Sequence, residues 1–324
     1  MNRNLLILYT LAGLFLAATS FPNGAIAALL LTVFSLTVVS LIRYYAPEDK
    51  EYLTNIFLLA LLARVCFGVM INYFNLQEFF GGDANTYDGV GYRLVQIWQG
   101  EAINLNDQWA KRAASTDDVG WGMYYLTAII YFITGRSMLV AQSFCAVIGA
   151  ATAPMIYFCA QKIYQNQRVA KISALFIAFF PSFIIWSSQL LKDGLIIFLL
   201  VCTMTMVLQL QKKFSLPALA VLIFSMFGVI SLRFYIFYML AAAVAGTFVI
   251  GSGGSVKSMT RNLIAIVLVG LALTYLGVIR NAATGIDRFG NLEAVQRSRQ
   301  DLATNAESGF GRDIDVSTTE GAIA

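Results

Sequence analysis

The sequence predicts an all-α fold: a polytopic integral membrane protein with about nine transmembrane helices. The chain is 58% hydrophobic and 12% charged, with a mean hydropathy of +0.70, which is typical of membrane proteins rather than soluble domains. Between Ile172 and Gln211, forty nearly apolar residues are interrupted only by the charges of Lys192 and Asp193. As one helix this run would be about 60 Å long, twice the roughly 30 Å of a bilayer core, so it must form two spans.

Nine apolar runs are long enough to cross a bilayer as helices. They are Leu5–Phe21, Gly24–Ile42, Leu53–Phe74, Met138–Ala160, Val169–Gln189, Gly194–Gln211, Leu216–Leu232, Phe234–Ile250 and Asn262–Ile279. A tenth, Trp121–Thr134, has only 14 residues, which suits a re-entrant or juxtamembrane helix. A cleaved signal peptide is an alternative for the first run, but we favour a retained span because the second run follows at once.

The distribution of basic residues predicts a cytoplasmic N-terminus. If Trp121–Thr134 does not cross the membrane, the short cytoplasmic segments hold ten basic residues against three acidic ones. The opposite, non-cytoplasmic face then carries the loop 75–120, the turn at Lys192 and Asp193, Arg233 and the polar tail 280–324. We therefore expect a protein of a bacterial inner or plasma membrane whose active site faces the periplasm or the cell exterior.

We expect one membrane domain over residues 1–324, with the candidate catalytic acid in the loop 75–120 and a re-entrant or interfacial helix over 121–134. The tail 280–324 is polar and then turns small and apolar at Gly321–Ala324. This pattern predicts that a further span follows and that the chain is a fragment. The loop Gly251–Ser255 is predicted to be a flexible cytoplasmic connection.

Several classes of function are excluded by composition. The chain has no histidine, which removes histidine-based acid–base catalysis, Ser–His–Asp triads and histidine-ligated zinc. The four cysteines all lie in apolar segments without metal-like spacing, so we interpret them as packing residues. Nothing in the chain resembles a nucleic-acid-binding surface.

The first candidate for chemistry is Asp83, in the motif Gly81-Gly82-Asp83-Ala84-Asn85-Thr86-Tyr87-Asp88. A carboxylate just outside the membrane can act as general base on an acceptor, or hold a divalent cation such as Mg²⁺ or Mn²⁺. Tyr87 is four residues on and shares its helix face, so we group it with the substrate-binding residues. Asp88 points elsewhere and is the weaker catalytic candidate, or a solvated charge. The structural alternative for Asp83 is an N-cap of its own helix.

Lys192, Asp193 and Arg233 are the candidates for binding a charged substrate. Lys192 offers a cation to a phosphate, and Asp193 places an anion in the same cleft. The planar guanidinium of Arg233 matches phosphate oxygens and stays charged. The structural alternatives are that Asp193 caps a helix beginning at Gly194, that Lys192 snorkels to the interface, and that Arg233 anchors there beside Tyr235 and Tyr238.

Arg64 and the arginines of the tail have mainly structural interpretations. Arg64 lies midway along the third span, where a charge needs a partner or a wet cavity. We expect it to bond carbonyls at a helix break or to line a cavity, and to serve structure more than catalysis. The tail contains Arg288, Arg297, Arg299 and Arg312 among acidic residues. It is predicted to be solvated, with a lid over an anionic substrate as the alternative.

The order of these features resembles the GT-C superfamily of membrane glycosyltransferases, in particular the protein O-mannosyltransferase and aminoarabinose-transferase branch. Its members have an acidic residue in the first large outer loop, here Asp83, followed by a helix that does not fully cross, here within Gly120–Ser137. A basic cytoplasmic turn follows, here Gln161–Lys171, and then a basic-x-x-Leu-Asp type motif, here Leu190–Asp193. The resemblance covers roughly Leu53–Gln211 and rests on order and topology.

The resemblance implies a polyprenyl-phosphate-linked sugar donor and transfer on the non-cytoplasmic face to a lipid, glycan or protein acceptor. Membrane lipids and proteins of a glycan-assembly pathway in the cell envelope would be the partners, and a divalent cation is a possible cofactor. Three alternatives stay open: a lipid-linked-oligosaccharide flippase or other transporter, a polysaccharide polymerase, and a non-catalytic assembly subunit.

Overall fold

The computed structural model describes residues 3–80, 82–101, 104, 106–114, 120–250 and 256–275, with Glu293, Gln296, Arg297 and Gln300 of the tail. Helices are the only regular secondary structure in these residues, which confirms the predicted all-α fold. They are α1 (Arg3–Thr19), α2 (Asn23–Tyr45), α3 (Lys50–Tyr73), α4 (Asp83–Trp98), α5 (Gln108–Ala114), α6 (Gly122–Thr134), α7 (Met138–Tyr164), α8 (Gln167–Phe179), α9 (Pro181–Ser187), α10 (Asp193–Lys212), α11 (Leu216–Leu232), α12 (Phe234–Ile250) and α13 (Val256–Tyr275). The predictions for Gly81, the loop 251–255 and nearly all of the tail 280–324 lie outside the described residues.

Each predicted span coincides with one helix or a pair of helices, as expected for a polytopic membrane bundle. In the described residues, α2, α3, α7 and α10 are long and apolar enough to cross a membrane, and the bent pair α8–α9 is a fifth crossing if it forms one span. The apolar stretches of α1, α11, α12 and α13 are shorter, at 10–17 residues. The number of full-length spans is therefore four or five in the described part of the chain, where the sequence predicted nine.

The contacts divide the chain into two compact units, residues 1–266 and residues 267–324, and every residue of the candidate site belongs to the first. At the centre of this first unit, α7 packs against α2, α3, α8 and α10. The middle of α7 consists of small buried residues, from Gly149 to Ala153. Small residues let helix backbones approach closely, which matters in a bilayer because apolar side chains gain little by leaving lipid.

The predicted span Val169–Gln189 is not one straight helix. It is divided at Phe180 into α8 and α9, whose axes differ by 57°. Pro181 explains the break, because its ring removes the N–H that would bond the carbonyl one turn earlier. Residues 188–192 are non-helical, and α10 then begins at Asp193, one residue before the predicted Gly194.

The helix α6 packs against α4 and α11. At its start, Gly122 packs so closely on Ser231, near the end of α11, that a Cβ atom there would overlap the serine side chain. Towards its end, the Tyr131 hydroxyl donates a hydrogen bond to Asp88 of α4. With 13 residues, α6 is one of the shorter apolar helices, and its re-entrant or interfacial placement stays a prediction.

Candidate functional site

A cavity of about 580 Å³ lies where the start of α4 and the residues just before it, α8, α9 and α10 meet the turn between α11 and α12. It brings together three of the predicted site residues, Asp83, Asp193 and Arg233. The rest of its lining is mostly apolar and aromatic: Phe80, Ile177, Phe180, Ser182, Phe183, Trp186, Leu191 and Ile197. A few polar groups at one end of an apolar pocket are the usual arrangement of a site for a small amphipathic ligand.

Asp83 is the exposed first residue of α4. The preceding Gly82 occupies the N-cap position with a φ of 71°, a left-handed conformation that glycine adopts without strain. The structural alternative for Asp83 as the N-cap is therefore wrong. Among the described residues, no hydrogen-bond donor engages its carboxylate, which leaves its oxygens available to a ligand in the cavity.

Asp193 and Arg233 form an ion pair at the edge of the cavity. The Arg233 Nη2 lies 3.1 Å from the Asp193 Oδ1, and the two side chains are 30% and 33% exposed. The Arg233 Nη1 also donates a hydrogen bond of 3.1 Å to the Tyr235 hydroxyl. Arg233 has extended backbone between α11 and α12, so its side chain projects from the turn that the sequence predicted.

Tyr87 and Lys192 lie beside these charges. Tyr87 is buried, and burial raises its pKa, as do the negative charges of Asp83 and Asp193, whereas Arg233 lowers it. Its phenol therefore keeps its proton at physiological pH. The Lys192 Nζ lies 5.7 Å from the centre of the Tyr87 ring, within cation–π range. Lys192 occupies the N-cap position of α10 and is not one of the residues that line the cavity.

Asp88 is engaged in a separate polar cluster. Its Oδ1 accepts a hydrogen bond of 2.6 Å from the Tyr131 hydroxyl, and its Oδ2 lies 2.5 Å from the Arg136 Nη2. The Asp88 carboxylate raises the pKa of Arg136. The guanidinium of Arg136 also lies 4.5 Å from the ring centre of Tyr92. This cluster ties α4 to the turn between α6 and α7, away from the cavity lining.

Arg64 is fully buried in α3 and bonds to both sides of the α8–α9 break. Its Nη1 donates to the carbonyls of Ala60 and Ala178, at 2.9 and 3.0 Å, and its Nε donates to the Ser187 Oγ at 2.8 Å. Ala178 lies in the last turn of α8 and Ser187 is the last residue of α9, so the arginine stabilises the bend. This arrangement fits the expected bonding of Arg64 to carbonyls at a helix break.

The residues that form the apolar wall of the cavity are not among the site residues predicted from the sequence. Its residues come mainly from α8 and α9, which the sequence suggested to be one straight span. Phe80, just after α3, and Trp186 stack edge to face with ring centres 6.3 Å apart. The signal that could have found this wall is Pro181, since a proline inside an apolar run predicts a kink or a break.

No three His, Cys, Asp or Glu side chains of the described residues lie close enough together to hold a metal ion. The two carboxylates that share the cavity are Asp83 and Asp193, and Arg233 already engages the second. A divalent cation in this cavity would have Asp83 as its available carboxylate ligand.

A family model described as dolichyl-phosphate-mannose-protein mannosyltransferase matches residues 122–250, which are 129 of the 324 residues of the chain. The matched segment runs from α6 to α12, so it contains Asp193, Arg233 and the wall from α8 and α9, but not Asp83. Neither the curated proteins nor the solved structures compared with the chain gave a match. The chain is similar over this segment to a GT-C family of mannosyltransferases, and the enzyme class predicted from its sequence, a GT-C-type membrane glycosyltransferase, is confirmed.

Proposed function

We propose that the protein transfers a sugar from a polyprenyl-phosphate-linked donor to a hydroxyl or amine of a lipid, glycan or protein acceptor. One observation carries the proposal: a single cavity joins the exposed carboxylate of Asp83, the guanidinium of Arg233 and an apolar aromatic wall. The wall can pack against the isoprenoid tail, and the arginine can bind the phosphate oxygens. The carboxylate can accept the proton of the acceptor group. The matched family adds support, because dolichyl phosphate is a lipid of this class.

In the proposed reaction, the bond between the anomeric carbon and the donor phosphate oxygen breaks as the bond to the acceptor forms. Asp83 takes the proton that the acceptor loses, which is general base catalysis by a carboxylate. Arg233 stabilises the charge that develops on the leaving phosphate, since its planar fork can donate two hydrogen bonds to phosphate oxygens. Lys192 supplies a second positive charge nearby.

Asp193 and Asp88 have supporting roles in this proposal. Asp193 holds Arg233 at the cavity edge until the phosphate of the donor replaces it as the partner of the guanidinium. Asp88 ties α4 to the turn at Arg136 and so positions Asp83, rather than acting as a catalytic residue. A divalent cation such as Mg²⁺ or Mn²⁺ would be held by Asp83 and by phosphate oxygens of the donor.

We place the reaction on the non-cytoplasmic face, because the positive-inside rule favours that side for the turns of Asp83, Lys192 and Arg233. The test is labelling of intact cells with a membrane-impermeant maleimide, in a Cys66→Ser background. Asn106→Cys, in the loop after α4, should be labelled directly. Arg168→Cys, at the start of α8, should be labelled only after the membrane is permeabilised; the reverse pattern would place the reaction in the cytoplasm.

The first test of the donor is native mass spectrometry of the purified protein with a polyprenyl phosphate. We compare the wild type with Arg233→Ala, which removes the phosphate ligand, and Asp83→Asn, which removes the base. Arg168→Ala is the matched control, because Arg168 is an exposed arginine at the start of α8, outside the cavity. We expect Arg233→Ala to weaken binding by about tenfold or more, and Asp83→Asn and Arg168→Ala to leave it nearly unchanged.

Transfer of the sugar completes the test. A lipid-linked sugar donor and a mixture of acceptors should give a new glycoside with the wild type and almost none with Asp83→Asn. If the wild type binds the polyprenyl phosphate no better than a bulk phospholipid, the proposed donor is wrong. The transporter and the assembly subunit then become the better explanations.

A further inference from the structure

Arg64 is a buried cation without a charged partner among the described residues. Its side chain is 0% exposed, its described hydrogen-bond acceptors are two carbonyls and a hydroxyl, and its Nη2 has no partner in the described part of the chain. A charge at membrane depth is costly and normally pairs with an opposite charge or faces a wet cavity. An unpaired one therefore suggests that its counter-charge comes from outside the protein.

The guanidinium of Arg64 lies against an aromatic ring that lines the proposed donor site. Its central carbon lies 5.0 Å from the centre of the Phe183 ring, and Phe183 lines the cavity that contains Asp83 and Arg233. The Phe183 ring is apolar and lies at the wall of the cavity. An electrostatic interaction across such an apolar wall is screened much less than one through water.

The charges that line the cavity do not by themselves favour an anion. Asp83 and Asp193 contribute two negative charges, and Arg233 contributes one positive charge. A phosphate monoester entering this cavity would add further negative charge to a lining that is already net negative, and Lys192, beside Tyr87 and outside the lining, offsets only part of this charge. A cation behind the wall would restore the balance without reducing the apolar surface that an isoprenoid tail needs.

We propose that Arg64 is part of the anion-binding site: it attracts the phosphate of the lipid donor through the Phe183 wall without touching it. This inference rests on the proposed function, since the ligand is the same polyprenyl phosphate. For charges about 10 Å apart at an effective dielectric constant of about 20, the attraction changes the affinity on the order of tenfold. The neutral polyprenol, which has the same tail, should gain nothing from it.

The bonds of Arg64 to Ala178 and Ser187 mean that replacing it also alters the shape of the wall. The experiment therefore compares two ligands rather than two proteins alone. Binding of a polyprenyl phosphate and of the polyprenol of equal length is measured for the wild type, Arg64→Lys and Arg64→Met. A change of shape affects both ligands, whereas a change of charge affects only the phosphate, so the ratio of their affinities reports the charge.

We expect Arg64→Met to reduce the preference for the phosphate by about tenfold and Arg64→Lys to keep it within about threefold. Arg64→Gln carries the same expectation as Arg64→Met and replaces it if the methionine variant does not fold. Arg43→Met is the control, because Arg43 lies near the end of α2 and not in this cavity, and it should leave the ratio unchanged. Equal losses for both ligands in Arg64→Met would overturn the inference.

The outcome also separates this inference from the proposed function. If the wild type does not prefer the phosphate to the polyprenol, both are wrong. If the wild type does prefer it, and Arg233→Ala weakens that preference while Arg64→Met does not, the proposed donor stands and the role of Arg64 is only structural.

Discussion

Asp49 and Asp193 lie at the starts of two long helices, and each pairs with a basic residue, but their surroundings differ. The Oδ1 of Asp49 lies 2.7 Å from the Lys171 Nζ, and its Oδ2 accepts hydrogen bonds from the Tyr157 hydroxyl and the Gln167 amide. Its side chain is only 8% exposed. Asp193 forms an ion pair with Arg233 at 3.1 Å and is 33% exposed beside the large cavity.

The difference separates a carboxylate that holds helices together from one that can exchange partners. These three side-chain partners of Asp49 come from α7 and α8, so this cluster joins the start of α3 to both helices. A buried and fully satisfied polar cluster is costly to disturb. Asp193 and its neighbour Asp83 keep acceptor capacity that faces the cavity, and this is what a binding site requires.

Asp83→Asn should have the largest effect of the changes that test this comparison. It removes the proposed base while keeping the size of the side chain, so we expect turnover to fall by about 100-fold or more with donor binding nearly unchanged. Asp107→Asn is the control, because Asp107 lies between α4 and α5 and pairs with Arg93 at 2.8 Å, outside the cavity. Similar turnover for the two variants would remove Asp83 from the mechanism.

Asp49→Asn should instead affect stability. It removes the charge that Lys171 contacts and leaves buried donors poorly matched, so we expect the free energy of unfolding to fall by about 1–3 kcal/mol. Turnover per folded molecule should be unchanged. Thermal unfolding in detergent, with activity measured on the surviving fraction, checks both expectations; a loss of turnover without a loss of stability would contradict the comparison.

The pH dependence of stability should sharpen the same contrast. Burial alone would raise the pKa of Asp49, but the bonds from Lys171, Tyr157 and Gln167 outweigh it and hold the pKa below its usual value. A lowered pKa stabilises the folded state above the unfolded value of about 3.9, and this stability is lost as the pH falls through the folded value. The Tm difference between the wild type and Asp49→Asn should therefore be constant from about pH 7 to 5 and shrink below about pH 4.

Asp193→Asn should have the smallest effect of these changes. It should raise the affinity for a polyprenyl phosphate, whereas Arg233→Ala should lower it. Without its charged partner, the guanidinium of Arg233 is free to bind phosphate, so the affinity for a polyprenyl phosphate should rise by about two- to fivefold. Titration of the lipid into wild type and variant measures this change. Weaker binding would mean that Asp193 orients Arg233 for the phosphate rather than competing with it.

The helices and the location of the site could be predicted from the sequence because isolated charges mark the ends of apolar runs. Asp83, Asp193 and Arg233 each stand at such an end, and the fold brings all three to one cavity. Lys192 and Tyr87, which the sequence also predicts to be substrate-binding residues, lie next to these three. The N-cap role suggested as an alternative for Asp83 is wrong because Gly82 occupies that position.

The parts that could not be predicted depend on contacts between residues far apart in sequence. The partner of Asp88 is Arg136, 48 residues later, and no local pattern pairs them. The wall of the cavity depends on the 57° bend between α8 and α9, and hydrophobicity alone does not distinguish a bent span from a straight one. Apolar runs of 10–17 residues also do not determine whether a helix crosses the whole membrane. This applies to α1, α11, α12 and α13.

The contacts of Arg64 also have a consequence for biosynthesis. Two of its acceptors, Ala178 and Ser187, follow it by 114 and 123 residues, so they do not yet exist when the ribosome delivers α3 to the membrane. An arginine at the centre of an inserting helix costs about 2.5–3.5 kcal/mol on the translocon scale. We expect α3 to wait at the insertion machinery, or to be held there by its flanking helices, until α8 and α9 arrive to solvate its charge.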